Sequence, residues 1–175
     1  RTKFGMASFA VTGQTFDRWY ARPSAQFMNL GYLEQRDVVS TWRRKDFTSN
    51  YQRSCRELAR RLGVRARLES KDDVVDVGCG YGLQDVLFVN EFGIKSVKAY
   101  NIGPNQIAVA QKMLKSEPCQ VQERITFKVG DAVRLPEPDC RVKKVLSLES
   151  AFHYNTREGF FSEAYRILVD GGRLA

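Results

Sequence analysis

From residue 49 onward, apolar positions alternate between helical and extended periods. Tyr51, Cys55, Leu58, Ala59 and Leu62 share one helical face, Arg53, Arg56, Arg60 and Arg61 lie largely elsewhere, and Gly63 is expected to end the run. Val-Val-Asp-Val (74–77) reads as a short buried strand. It leads through Gly78-Cys79-Gly80-Tyr81-Gly82 into a second helix over 83–92, whose Leu83, Val86, Leu87 and Asn90 are expected to face a sheet. Residues 94–100 form a second predicted strand. A helix over 104–116 opens on Pro104 and carries Ile107, Ala110 and Leu114 at helical spacing. Strands follow over 124–129 and 143–149. An amphipathic helix over 157–168 is expected to stop at Asp170-Gly171-Gly172, with Arg173-Leu174-Ala175 beginning a fifth strand.

Strands that alternate with helices of about ten to thirteen residues imply βαβ units, and hence a parallel sheet covered on both faces. The predicted class is α/β, doubly wound and mostly parallel. Residues 49–175 form this domain, and residues 1–48 form a separate basic, aromatic lid or extension without clean periodicity. Ten of the 20 aromatic residues fall within the first 51 positions. They suit either an aromatic lid over an apolar substrate or a plain packing layer.

Charge sharpens the division. Residues 1–70 hold 14 Lys or Arg against 6 Asp or Glu, whereas residues 71–175 hold 14 of each. The net charge of +8 therefore lies entirely before the glycine segment. A basic surface of this kind suits a phosphate, a nucleic acid, an anionic membrane surface or an acidic partner; a solvated arginine-rich helix face explains it equally well. No run of about 18 apolar residues is present to span a membrane. Cys55, Cys79, Cys119 and Cys140 are scattered, with no Cys-x-x-Cys pair and a single histidine in the chain. That pattern argues against a metal site and for reduced thiols in an intracellular compartment, with cytoplasm and mitochondrial matrix not distinguished.

The first strand-to-helix turn of such a sheet lies at its carboxyl edge, where ligands bind. Glycines there allow tight backbone geometry and leave no Cβ between chain and ligand. In this chain the Gly-x-Gly-x-Gly run follows a strand directly, opens a helix, and has Asp76 two residues ahead of Gly78. A dinucleotide-binding dehydrogenase motif would place glycine where Leu83 stands.

Val-Val-Asp-Val-Gly-Cys-Gly-Tyr-Gly (74–82) resembles the first motif of class I S-adenosylmethionine (SAM) dependent methyltransferases. The resemblance continues in order through residues 99–111, 130–139 and 145–175, and so covers roughly residues 72–175. Residues 27–37 resemble the entry region of small-molecule members, nearest to sterol, tocopherol and cyclopropane-lipid methyltransferases. The resemblance implies a Rossmann-like methyltransferase fold with SAM as cofactor. It also implies roles for particular residues. Gly78, Gly80 and Gly82 would pass beneath the methionine part of SAM, with Asp76 ordering the turn or meeting the amino group through water. Asn101 stands where the family usually carries an acid for the ribose hydroxyls, and Gln106 would assist it. Asp131 would face the adenine amino group, with the Ala132 backbone at the ring edge. Residues 147–150 would line the pocket near the methyl.

Each cofactor residue also has a plainer explanation: a turn hydrogen bond for Asp76, an Asx cap for Asp131, a turn residue for Asn101. Glu149, His153 and Tyr154 stand near the right strand end to act as a base if the acceptor is nitrogen or oxygen. His153 equally suits packing, and Tyr32 and Tyr154 suit closure over cofactor or substrate. An alkene acceptor would instead call on aromatic faces and a carboxylate to stabilise a cation. The expected function is methyl transfer to a small or lipid-like acceptor. The other reading is a non-catalytic methyltransferase-fold subunit or assembly factor in a large complex, RNA-containing or mitochondrial, with residues 1–70 docked to RNA or protein. The resemblance implies two further strands beyond the fifth. Their place would be filled by more of a longer chain, or by a protein partner covering the fifth-strand edge.

Overall fold

The structure is a computed structural model that describes Phe27, residues 29–32 and residues 47–175. One sheet contains β1 (Asp73–Val77), β2 (Ser96–Asn101), β3 (Ile125–Val129), β4 (Val142–Leu146) and β5 (Leu168–Leu174). Their spatial order is β3-β2-β1-β4-β5, and every neighbouring pair is parallel. The connections carry α1 (Phe47–Ala66) ahead of the sheet, then α2 (Leu83–Phe92), α3 (Pro104–Leu114), the short α4 (Cys119–Gln122) and α5 (Arg157–Ile167). The chain builds outward from β1 to β3, then returns past β1 to build β4 and β5. Strand order thus reverses between β1 and β4, which opens a crevice at their carboxyl ends. The predicted α/β class is the observed one. The proposed lid over 1–48 lies outside the described residues except for Phe27, 29–32 and the first residues of α1.

Alternation along the strands sorts the core into two layers. Val74, Val97, Ala99, Ile125 and Phe127 face α1, α2 and α3, where Cys55, Ala59, Phe88, Ile107 and Ala110 are buried. Val75, Val77, Tyr100 and Val145 face α5 and pack on Phe160, Ala164 and Ile167. Burying each large aliphatic or aromatic side chain contributes about 1.5–3 kcal/mol, so both layers are needed to hold the sheet. Asp76 falls on the same face as Val74, and its carboxyl is therefore directed under α2 and away from water.

Three sequence expectations are corrected. Gly63 does not end α1, which continues to Ala66. The helix closes instead on Arg67 at φ 54, with Leu68 N–H donating to the Gly63 carbonyl and Arg67 N–H to that of Val64. This is the double hydrogen bond of a Schellman cap, with arginine in the left-handed position. Gly63 serves packing: a Cβ there would sit 2.5 Å from the Phe92 ring of α2. Secondly, the inward face of α2 is broader than expected and excludes Asn90: Leu87 is buried and Leu83 and Val86 pack against the core as predicted. Gln84, Asp85, Leu87, Phe88 and Val89 are buried, while Asn90 is exposed. Thirdly, α5 passes straight into β5 at Leu168, and Asp170-Gly171-Gly172 lies inside the strand as an irregularity opposite Val142 and Lys144.

Gly63→Val should lower the stability of the full-length protein by about 1–3 kcal/mol through overpacking against Phe92. Urea unfolding should show a lower midpoint at an unchanged m-value, and adding Phe92→Leu should recover most of the loss. An unaffected midpoint would show that the helices are not in close contact there.

Candidate functional site

The turn between β1 and α2 is fixed by both conformation and contact. Gly78, Gly80 and Gly82 adopt φ of 81, 58 and 77, left-handed values that cost a side-chain-bearing residue about 1 kcal/mol or more. Gly78 and Cys79 both donate their N–H to the Tyr100 carbonyl at the end of β2, at 2.7 and 3.1 Å. Space is as restricted as conformation. A Cβ on Gly78 would lie 2.4 Å from the Ser150 side chain, and one on Gly82 would lie 2.2 Å from the Phe127 ring.

Beneath this turn lies a fully buried polar group. Asp76 Oδ2 accepts a hydrogen bond from Gln84 Nε2 at 2.5 Å, and the buried Asp85 carboxyl neighbours that of Asp76. Burial is the leading cause that raises both acids. Asp76 is pushed up to about 6, and Asp85 well above the ordinary carboxyl range, with the Asp76 charge adding to its shift. Two carboxyls this close and this dry do not both ionise readily, so the pair holds on to a proton above the ordinary carboxyl range. Burial likewise raises the Cys79 thiol beside them. Among the described residues no His, Cys, Asp and Glu group is arranged to hold a metal ion.

At the end of β2, Asn101 Nδ2 donates to Gln106 Oε1 at 2.5 Å. This orientation leaves the Asn101 carbonyl oxygen as an acceptor. Gly103 makes room for the pair, since a Cβ there would sit 2.8 Å from Gln106 Oε1. At the end of β3, Gly130 is packed by the Tyr100 ring, which a Cβ would approach to 2.7 Å. Asp131 is exposed and its Oδ1 caps the Val133 N–H at 3.1 Å, while Ala132 is buried.

The segment after β4 supplies hydroxyls. Ser150 Oγ and Tyr154 Oη both donate to the Val77 carbonyl, at 3.0 and 2.7 Å, and Ser147 Oγ lies within 3.0 Å of each. Burial pushes the Tyr154 hydroxyl up to about 12, so it remains a neutral donor. Glu149, at φ 47, accepts the Leu30 N–H at 2.5 Å. His153 is exposed and stands against the Phe152 ring, with 4.3 Å between centroids. The three acceptor-side candidates thus occupy one segment, but none hydrogen-bonds to another. Glu149 instead ties down residues 29–32. Asn29 is held by Cys55 and Tyr51 of α1, and the Tyr32 ring lies 3.8 Å from the Arg61 guanidinium.

A reversed parallel sheet, a left-handed glycine turn above a buried acid and polar groups at the next two strand ends define a nucleotide-cofactor domain of the Rossmann-like kind. Residues 75–175 match the family described as "Methyltransferase domain". The chain is 32% identical over 155 residues to the erythromycin 3''-O-methyltransferase of Saccharopolyspora erythraea, covering 89% of this chain and 46% of that protein. It is 30% identical over 114 residues to the sterol 24-C-methyltransferase of Pneumocystis carinii, covering 65% and 29%. The chain belongs to the class I SAM-dependent methyltransferase family and spans less than half the length of these two relatives. Among solved structures, geranyl diphosphate methyltransferase in complex with GPP and sinefungin matches with a TM-score of 0.74 at 19% identity, over 90% of this chain and 58% of that one. The 4+2 cyclase SpnF matches with a TM-score of 0.77 at 22% identity, over 93% and 57%. Both likenesses concern the fold alone.

Sequence reasoning missed Gln84, Asp85 and the Leu30 contact to Glu149. One signal for Asp85 was available: an acid beside Leu87 and Phe88 in a helix otherwise poor in charge. An acid whose folded pKa exceeds its unfolded value favours folding below the unfolded value and loses that contribution as pH rises through the folded one. Stability should therefore fall from about pH 4 to 6 as Asp76 loses that contribution, with Asp85 extending the decline higher. Urea unfolding across this range should show the fall, and Asp85→Asn should flatten its upper part. A rise through the same window would disprove the burial of these acids.

Proposed function

We propose that the protein containing this chain transfers the methyl group of SAM to a small or lipid-like acceptor. The observation that carries this reading is the left-handed glycine turn over the buried Asp76, at the point where strand order reverses. The residues present fit the cofactor. A carboxyl beneath the turn suits the cationic amino-acid end, and the Asn101 carbonyl, oriented by Gln106, suits a ribose hydroxyl. The second oxygen of Asp131, beside its cap on Val133, suits an exocyclic amine, with the Ala132 backbone at a ring edge. An amide lacks the charge that strengthens a hydrogen bond to a ribose hydroxyl, so Gln106 matters more here than beside a carboxylate.

When bound, SAM supplies a methyl already activated on a sulfonium, so the protein's work is placement and water exclusion. Orientation of this kind contributes about 7–11 kcal/mol. Ser150 and Tyr154, fixed on the Val77 carbonyl, form the wall beside the turn. Tyr154 acts there as a neutral donor. Glu149 or the exposed His153 is left to accept a proton from an oxygen or nitrogen acceptor. The relatives named as acting on a macrolide and a sterol support an acceptor of that size. Four unpaired cysteines, two of them exposed, suit a reducing compartment. No helix among the described residues is long and apolar enough to cross a membrane.

Calorimetric titration of the full-length protein with SAM, and with its demethylated product, should show micromolar binding. Gly80→Val forces a β-branched residue into a left-handed conformation, and Asp131→Ala removes the carboxyl; each should weaken binding by about tenfold or more, or roughly 1.4 kcal/mol. Circular dichroism would check that both variants are folded. No binding up to millimolar ligand by a folded sample would overturn the enzyme reading in favour of a non-catalytic subunit.

A further inference from the structure

We propose that Asp85 is a positioning residue for Asp76: a single proton shared between their buried carboxyls leaves one negative charge on Asp76 beneath the glycine turn, which favours the cationic end of the cofactor bound above it. This rests on the reading of SAM as cofactor and adds that its binding is coupled to a proton. The geometry leaves little alternative. No amide, hydroxyl or amine among the described residues donates with good geometry to Asp76 Oδ1 or to either Asp85 oxygen. Both side chains are wholly excluded from water, where an unpaired acceptor is costly. No Lys or Arg among the described residues forms an ion pair with either acid. The donor the pair lacks is the proton on Asp85, and Gln84 holds the other Asp76 oxygen at 2.5 Å.

Every group that faces Asp76 is then neutral. From α2 it meets Gln84 and Asp85, from the turn Cys79, and from the segment after β4 Tyr154. Burial raises the Cys79 thiol and the Tyr154 hydroxyl, so both keep their protons. Asp76 is thus the group here that changes charge in the mildly acidic range, and a cation bound at the turn needs it ionised. Below about pH 6, binding must expel a proton from Asp76.

The test is calorimetric titration of the full-length protein with SAM between pH 5 and 7.5. Affinity should fall about tenfold from the neutral plateau to pH 5, with one proton released at the acid end, as buffers of different ionisation enthalpy would report. Asp76→Asn should remove the pH dependence. Asp85→Asn keeps a donor and should bind SAM within about threefold of wild type at pH 7.5, whereas Asp85→Leu removes the donor and should weaken binding about tenfold or more. Rescue by asparagine separates positioning from mere filling of space. If Asp85→Leu does not fold, the pH profiles of wild type and Asp76→Asn decide the matter. SAM affinity that is flat across this range, or unchanged in a folded Asp85→Leu, would overturn the proposal. Absence of SAM binding at every pH would instead overturn the cofactor reading, and the proposal with it.

Discussion

Two carboxyls packed against each other without water or a counter-ion are among the more costly arrangements a fold can hold. Here they sit at one junction, Asp76 at the penultimate position of β1 and Asp85 in the first turn of α2, with Gln84 donating to the other oxygen of Asp76. The glycine turn has to bring the start of α2 back over the strand it has just left, or these groups would be stranded. That requirement explains why left-handed conformations recur at Gly78, Gly80 and Gly82 within five residues. The polar junction and the turn depend on each other.

The last carbonyl of β1 ties this junction to the far side of the crevice. In a continuous sheet it would be met by a neighbouring backbone amide. At Val77 the strand order has reversed, and two side-chain hydroxyls, Ser150 and Tyr154, take that place. The edge of the Tyr154 ring in turn packs on Phe160 of α5, with 4.9 Å between centroids. One carbonyl therefore couples β1, the segment after β4 and the helix on the opposite face. The tie also bears on chemistry, because a hydroxyl that donates to backbone is held in place and keeps its proton.

The rim is built by a different device. Asn29 reaches the Cys55 carbonyl of α1, its own carbonyl accepts from Tyr51, and Leu30 donates to Glu149. Gly31, at φ 81, lets the chain pass Ser54, whose Oγ would stand 2.2 Å from any Cβ. The carboxylate after β4 is thus shared between the chain ahead of α1 and the open side of the crevice. Movement of residues 29–32 would change what Glu149 can do there.

Much of this molecule was written in local pattern. Alternating periods of apolar residues predicted five parallel strands and the intervening helices, because burial on one stripe or on two faces dictates those spacings directly. The glycines and Asp76 stood out because a strand-to-helix turn at a sheet edge calls for such residue types, whereas Asn101 and Asp131 were singled out by the resemblance to a known family. Tertiary structure alone decided the rest. Gly63 reads as a helix stop and proves to be a packing site, since the Phe92 ring that occupies its missing side chain lies 29 positions further along the chain. Asp85, to which the sequence pattern assigned no role, is fully buried, since α2 turns that side chain toward β1. Glu149 meets an amide 119 positions away. Sequence by itself determines which residues can form an element and where the backbone must turn. Which side chains share a proton, fill a glycine's space or anchor a distant segment depends on contacts between elements, and no local period encodes them.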